Sequence, residues 1–381
     1  MGFEWLLTYV LPFLVILSVV VFVHELGHYL VAKANGVKVE VFSIGFGQEI
    51  FGFDDKSGTR WKFSWIPLGG YVKMFSDENA ASQPSEDAIS KMTDEEKKGS
   101  LFHKTVWQRM AVSAAGPAAN YIFAVFVLGL LYTFSGQRVP ADVAKIGIVA
   151  VGSAAEQGGL KTDLVINTFD GVPVSSFEEL VKVVRERPGK ESVVTATDPE
   201  SGQIDQFMIT PTPTEERDED GNTVTVGKLG VSQGVVLEKR NILVSWWYGA
   251  KDCVRVTVGT LKAVGQMIAG TRSTDGLSGP IGIAQMTGQV ASADLAAFFW
   301  FMAFLSINLG LINLFPIPVL DGGHLLFYSI EAVRGKPLSL KAQEIGYRIG
   351  GTFVLGLVLL TTWNDLARLD VVSSVKGWFG L

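Results

Sequence analysis

The chain has one cysteine, Cys253, which excludes an intrachain disulfide and any metal site built from cysteines. The redox compartment is therefore not written in its cysteine usage. Basic residues are also short: 32 Lys and Arg against 38 Asp and Glu leave a net charge of −6. No basic stripe offsets that balance, which argues against nucleic acid as a partner. Charge of either sign is scarce in four long stretches, about 5–32, 106–134, 295–330 and 345–363. Each is near or above the length that crosses a hydrocarbon core. Polar stretches at 35–104 and 136–240 separate them. The pattern predicts a polytopic α-helical membrane protein with about four transmembrane helices, in contact with the lipid bilayer.

The first apolar run is not read as a cleaved leader, although Ala32-Lys33-Ala34 resembles a cleavage site. Its start, MGFEW, carries an acid and no base, and the run is too long for a signal segment. Lys33, Lys38, Lys97, Lys98 and Lys104 flank the first loop, and Arg334, Lys336 and Lys341 the loop between the third and fourth spans. Positive residues near span ends mark the cytoplasmic side. Both termini and 136–240 are then expected outside.

After the first span, VKVEV (37–41) alternates, and EIFGF (49–53) and TRWKFSW (59–65) flank the turn sequence DDKSG. Trp61, Phe63 and Trp65 fall on one face of such a strand, as suits a sheet at a membrane interface. Residues 76–90 read as a polar linker, followed by a Thr93…Glu96 capping box. Short strand-like runs and one helical pattern, SSFEELVKVVRER, occupy 140–213, and EERDEDGNTV (214–223) reads as a connector. From 241 to 270 aromatic and aliphatic residues mix with Lys251, Arg255 and Lys262, the pattern of an amphipathic helix on the outer surface.

The first span contains HELGH, an H-E-x-x-H pattern at 24–28. On a helix, residues four apart share a face, so His24 and His28 can aim at one point while Glu25 stands beside it. Two imidazoles and a carboxylate base suit Zn²⁺ and a water. Ionisable residues inside a span mark function by default. A catalytic zinc wants a third protein ligand, and NLFPIPVLDGGH (313–324) reaches matching depth from the third span. Two prolines break the helix there, which is tolerated only where backbone lines a cavity. Asp321 and His324 can both ligate, with His103 a more distant candidate; chemistry alone leaves the choice open. A metal transporter or a catalytically inactive membrane scaffold are the rival readings of these groups.

HELGH, PLGGYVKM (67–74), GPAAN (116–120) and NLFPIPVLDGG (313–323), in this order, resemble the site-2 protease family of intramembrane zinc metalloproteases. The resemblance is to the bacterial regulator-of-sigma-E protease branch of that family, in a form with a single PDZ domain. That resemblance implies Zn²⁺ held by His24, His28 and Asp321, with Glu25 as general base. It also implies substrate contacts from Asn313, and lining roles for Asn120 and Gly116. Residues 140–213 resemble a PDZ domain in its permuted bacterial form; the run 152–174 parallels that family, departing from it at Ala154, where proline is usual, and at Asp163-Leu164, where Gly-Asp is usual. The implied activity is hydrolysis of a peptide bond in or near the transmembrane segment of a single-span membrane protein, such as a pre-cleaved anti-sigma factor or a remnant signal peptide. The implied location is a bacterial inner membrane, with the PDZ-like domain periplasmic and the active site towards the cytoplasm.

The domain order expected is a first transmembrane helix over 1–34 and a cytoplasmic-side membrane-associated β region with linker over 35–104. A second helix follows over 105–135, then the inserted PDZ-like α+β domain over 140–213. A connector with a surface helix covers 214–294, a third transmembrane helix 295–330, a fourth 341–364 and a tail 365–381.

Overall fold

A computed structural model of the protein describes residues 3–75, 92–217 and 223–368. The linker expected over 76–90, the centre of the 214–223 turn and the tail beyond 368 lie outside the described residues. The chain forms two compact units, one running to Tyr132 and resuming at Ile242, the other Thr133–Asn241.

In the first unit, helix α1 (Leu11–Ala34) continues a π-helical turn, Leu6–Val10. Pro12 falls in its first turn, where a missing N–H leaves no bond unmade. Strands β1 (Val39–Asp54) and β2 (Arg60–Met74) follow, then the short α2 (Asp94–Gly99), whose Thr93–Glu96 capping box is formed. Helix α3 spans Val106–Phe134. Four helical segments are long and apolar enough to cross a membrane: Leu6–Ala34, Val106–Phe134, Leu295–Asn313 and Lys341–Arg368.

Where α1 meets α3, a Cβ on Gly27 would fall 2.3 Å from the Ala115 carbonyl oxygen. Only glycine allows that approach, and it brings the helix carrying HELGH hard against α3. The two-stranded β unit then clamps α1 from another side. Phe42 of β1 is fully buried among Phe22 and Tyr29 of α1 and Trp61 of β2, stacking on Trp61 at 4.2 Å. β2 doubles back, so Phe42 pairs with both Trp61 and Val72, and Ile44 with both Phe63 and Gly70. The first half of β1 thus lies between the two halves of β2. The three aromatics of TRWKFSW do not share one environment. Trp61 packs inward, whereas Phe63 and Trp65 are exposed together with Phe46, Phe51 and Phe53.

The second unit contains a four-stranded sheet in the order β6-β5-β7-β8: Val172–Pro173, Val165–Phe169, Ser192–Thr197 and Ile204–Ile209. Helices α4 (Ala154–Gln157) and α5 (Phe177–Arg185) cover its core of Ile146, Ile166, Phe169, Leu180, Val194 and Ile209. It reaches past the expected limit of 213, through the antiparallel pair β9 (Thr212–Arg217) and β10 (Thr223–Lys228). Strand β3 (Gln137–Pro140) pairs with β12 (Val235–Glu238), and β4 (Ile146–Val149) with β11 (Val231–Gln233). Chain entry and exit are therefore stitched together, and the first part of the expected connector, up to Asn241, belongs to the unit. Asp163, at the position where a glycine is usual, adopts φ of 71°. Asp tolerates this left-handed conformation better than most residues. Its N–H donates to the Ile146 carbonyl, so the turn closes without glycine.

After the second unit, α6 (Ile242–Ile268) packs along α3. Tyr132 donates to Asp252 at 2.6 Å, and further along Tyr121 meets Thr257 at 3.0 Å. The helix expected to lie on the outer surface thus follows α3 for about three turns, while Leu243, Trp247, Val254 and Val258 form an exposed stripe. Helix α7 (Pro280–Ala293) follows, capped by Asp365, which accepts from the Gly279 and Gly282 amides. The third apolar stretch, 295–330, is divided where its two prolines were expected to break the helix. Helix α8 (Leu295–Asn313) ends before Pro316 and Pro318, and α9 (Asp321–Arg334) begins after them. Proline can neither donate nor allow the preceding residue to stay helical. Helix α10 (Leu340–Arg368) completes the unit.

One carboxylate fastens the β hairpin to α1. Asp55 in the turn accepts from Ser57 N–H and O–H, Thr59 N–H, Trp61 Nε1 and, from α1, the Tyr29 hydroxyl at 2.7 Å. Withdrawal from water would raise this carboxyl, but those hydrogen bonds outweigh it and hold it well below the ordinary carboxylate range. A depressed folded-state pKa gives stability that is complete above the unfolded value, about 4, and fades as pH falls below it. Hydrogen exchange over 39–74 should therefore show protection that weakens below about pH 4. In Asp55→Asn the protection should be lower at pH 7, and the difference from wild type should narrow in acid.

Candidate metal centre

The centre is assembled on the face of α1 that meets α3. His24 and His28, one turn apart, are both buried, and their Nε2 atoms converge to 3.2 Å. Asp321, the first residue of α9, brings Oδ2 to 3.1 Å from His24 Nε2 and Oδ1 to 3.4 Å from His28 Nε2. One ligand atom from each lies within 4.8 Å of the others, and the three form the group of metal-binding type among the described residues. A tetrahedral metal with bonds of about 2.0–2.1 Å sets its ligand atoms about 3.3–3.4 Å apart. The 3.2 Å between the two imidazole nitrogens is close to that edge, and each nitrogen has one Asp321 oxygen at 3.1–3.4 Å.

Two further observations support the fit. Buried Asp321 Oδ2 has no hydrogen-bond donor among the described residues although an imidazole nitrogen is 3.1 Å away. That is what lone pairs turned toward one cation would show. The wall opposite is Gly116 of α3, where a Cβ would fall 2.3 Å from His28 Nε2 and 2.7 Å from His24 Nε2. Any side chain there would occupy the space in which the two nitrogens meet.

Each imidazole is also held from behind. His28 Nδ1 lies 2.8 Å from the Val112 carbonyl, to which it can only donate, leaving the Nε2 lone pair for a ligand bond. His24 Nδ1 lies 3.2 Å from the Asn120 side chain, itself fully buried.

Beside the cluster opens a cavity of about 190 Å³ bounded by His24, Glu25, His28, Asn313 and Asp321, with Gly70, Tyr71 and Val72 forming one wall. Glu25 lies against that wall, near the Val72 backbone and with its chain beside Gly70. The arrangement is chemically that of a carboxylate base next to a cation-binding pocket, facing an extended strand.

Of the residues singled out by the sequence, His24, Glu25, His28, Asn313 and Asp321 are brought together. Asn120 and Gly116, expected to line the substrate path, are behind and beneath the imidazoles and are not among the cavity's lining residues. His324 does line the cavity, but its Nδ1 faces the Tyr347 hydroxyl at 3.4 Å, outside the ligand cluster. His103, in the turn Leu101–His103, is not part of the lining.

Sequence reasoning overlooked a clamp on α9. Arg109 of α3 forms a shielded ion pair with Glu331 and stacks over Tyr328 at 4.8 Å, and Tyr328 lines the cavity. A lone arginine opening an apolar span was the available signal.

Comparison with known proteins agrees with this geometry. The sequence matches Peptidase family M50 over residues 12–357. It is 42% identical over 366 residues to a protein of Agrobacterium fabrum named "Putative zinc metalloprotease Atu1380", covering 95% of this chain and 96% of that one. It is 36% identical over 398 residues to "Metalloprotease MmpA" of Caulobacter vibrioides, covering 96% and 97%. Among solved structures, the PDZ domain of an SdrC-like protein from Listeria monocytogenes aligns with 26% of this chain and 93% of its own, at 17% identity and a TM-score of 0.19.

The Gly116 contact gives a test. Gly116→Ala should leave the fold largely intact, since alanine favours a helix, but should drive zinc content from near one per chain to a small fraction. Metal analysis of the purified variant beside its thermal unfolding checks this; full zinc retention would contradict the geometry.

Proposed function

The chain belongs to peptidase family M50, the site-2 protease family, and is a zinc metalloprotease; from that premise we propose that it cuts a peptide bond in or near the transmembrane segment of single-span membrane proteins. The observation that carries this reading is the convergence of His24, His28 and Asp321 within 4.8 Å, beside Glu25, in a unit built from membrane-length helices. In this reading His24, His28 and Asp321 hold the zinc. Zinc in such a position polarises a scissile carbonyl and makes water acidic enough to attack near neutral pH.

The remaining steps fall to the chain's own residues. The Glu25 carboxylate takes the proton of the attacking water as the new C–O bond forms, then delivers it to the leaving nitrogen as the C–N bond breaks. A transmembrane substrate has to be unwound before its carbonyl is accessible. The Gly70–Val72 segment, paired with β1 on one side and bounding the cavity, is suited to hold such a stretch extended by strand addition. Asn313, at the end of α8 and in the cavity wall, is suited to hold the substrate backbone.

The basic residues flanking the spans support a cytoplasmic-side centre in a bacterial inner membrane, with the second unit outside. On that side a PDZ-like unit can act as a filter, admitting substrates whose outer domain has been removed. The exposed aromatics of the β hairpin suit contact with the bilayer interface.

The decisive experiment is Glu25→Gln. It should keep its zinc and lose about 10²–10⁴-fold in cleavage of a single-span substrate in detergent; wild-type cleavage would refute the proposal. Asp321→Ala should lose zinc while His324→Ala keeps it, and the reverse would move the third ligand to His324.

A further inference from the structure

We propose that Asn120 is a positioning residue that turns its carbonyl oxygen to His24 Nδ1 and so fixes the imidazole tautomer able to bind metal. The proposal rests on His24 being a zinc ligand.

Asn120 is 0% exposed, and its amide is 3.2 Å from His24 Nδ1. It is anchored on its other side, where Ser306 of α8 donates to its backbone carbonyl at 3.0 Å. The amide nitrogen lies toward the imidazole, yet the Oδ1 atom, equally buried, has no hydrogen-bond partner among the described residues. The two ends of an asparagine amide have nearly the same shape, and their assignment follows from the hydrogen bonds they make.

Chemistry decides between the two orientations. If the NH₂ group donated to Nδ1, the lone pair would be on Nδ1 and the ring proton on Nε2. Nε2 is the atom that faces His28 and Asp321, and a protonated nitrogen cannot ligate. With the amide reversed, Nδ1–H donates to Oδ1 and the Nε2 lone pair points into the cluster. His24 then matches His28, whose Nδ1–H donates to the Val112 carbonyl. Both ligands acquire the same kind of oxygen acceptor behind them, one from the backbone of α3 and one from a side chain two turns later. Such partners orient the ring and raise its basicity toward metal.

Two variants of Asn120 separate this role from the others. Asn120→Asp offers oxygen in either orientation and should keep zinc at least as tightly as wild type. Asn120→Leu has similar bulk and no acceptor, and should lose about 10–100-fold in zinc affinity, measured by competition with a chelator, with thermal unfolding recorded beside it. Equal loss in both variants would mean that the amide hydrogen was needed, and would overturn the proposal. Wild-type zinc affinity in both, with only the substrate KM raised, would overturn it in favour of a substrate-lining role.

A measurement on the unsubstituted zinc-loaded protein stands independently of how the variants fold. The chain has four histidines, and long-range ¹H–¹⁵N spectra of histidine-labelled protein should show a protonated Nδ1 for His24. A proton on Nε2 would overturn the assignment. His24→Ala with undiminished zinc would instead sink the underlying zinc reading, a distinct result.

Discussion

The cost of burying His24, His28 and Asp321 among apolar helices is the constraint around which the first unit is arranged. Isolated, any of these groups would resist removal from water, and together they are tolerable only if a cation and fixed dipoles compensate them. The structure addresses each atom in turn. The inner nitrogens converge with the carboxylate, while the outer nitrogens abut Val112 and Asn120. All the imidazole support comes from one helix, α3. The distance between α1 and α3 is therefore the controlling dimension, and it is set by missing side chains at Gly27 and Gly116.

That dimension explains why the β hairpin is fastened so firmly to the other side of α1. Tyr29 follows His28 directly, and its ring packs on Phe42 and Trp61 while its hydroxyl reaches Asp55. A hairpin alone is marginal in water; here its core is completed by the helix that holds the ligands. The same attachment aligns Gly70–Val72 with the cavity. Strand edge and metal ligands are thus positioned by one packed cluster, so a shift of the hairpin would be felt at Glu25.

How much of this was legible in the sequence depended on the range of the interaction. HELGH could be read because the helical repeat alone brings positions 24 and 28 to one face. The four apolar stretches were visible for the same local reason, and the prolines at 316 and 318 announced a break. Choosing between Asp321 and His324 needed more, since both follow the break within one turn. The structure separates them by register: the first residue of α9 reaches the histidines, and the fourth faces Tyr347. The Val112 carbonyl had no signal, because every residue carries one. The extent of the second unit was hidden because its closing strands, β11 and β12, are three and four residues long and pair with partners about 80 to 100 positions earlier.

The third ligand shows how a non-local position is made reproducible. Val319, two residues before Asp321, has φ of 98°, a conformation a β-branched residue adopts only when its surroundings leave no alternative. Those surroundings are three helices. α9 lends Gly322 and Gly323, whose missing side chains let the carbonyls of Leu314, Phe315 and Ile317 fold over its first turn. α10 lends Gly350, against which the Pro318 carbonyl packs so closely that a Cβ would fall within 1.9 Å. α3 lends Arg109, which grips α9 at Glu331, three turns from the ligand. Strain of about 1–3 kcal/mol at one residue is small beside these contacts, and it orients a carboxylate that chain connectivity alone would leave free to swing. A ligand almost three hundred residues from its partners is thereby held with nearly the rigidity of two on the same helix.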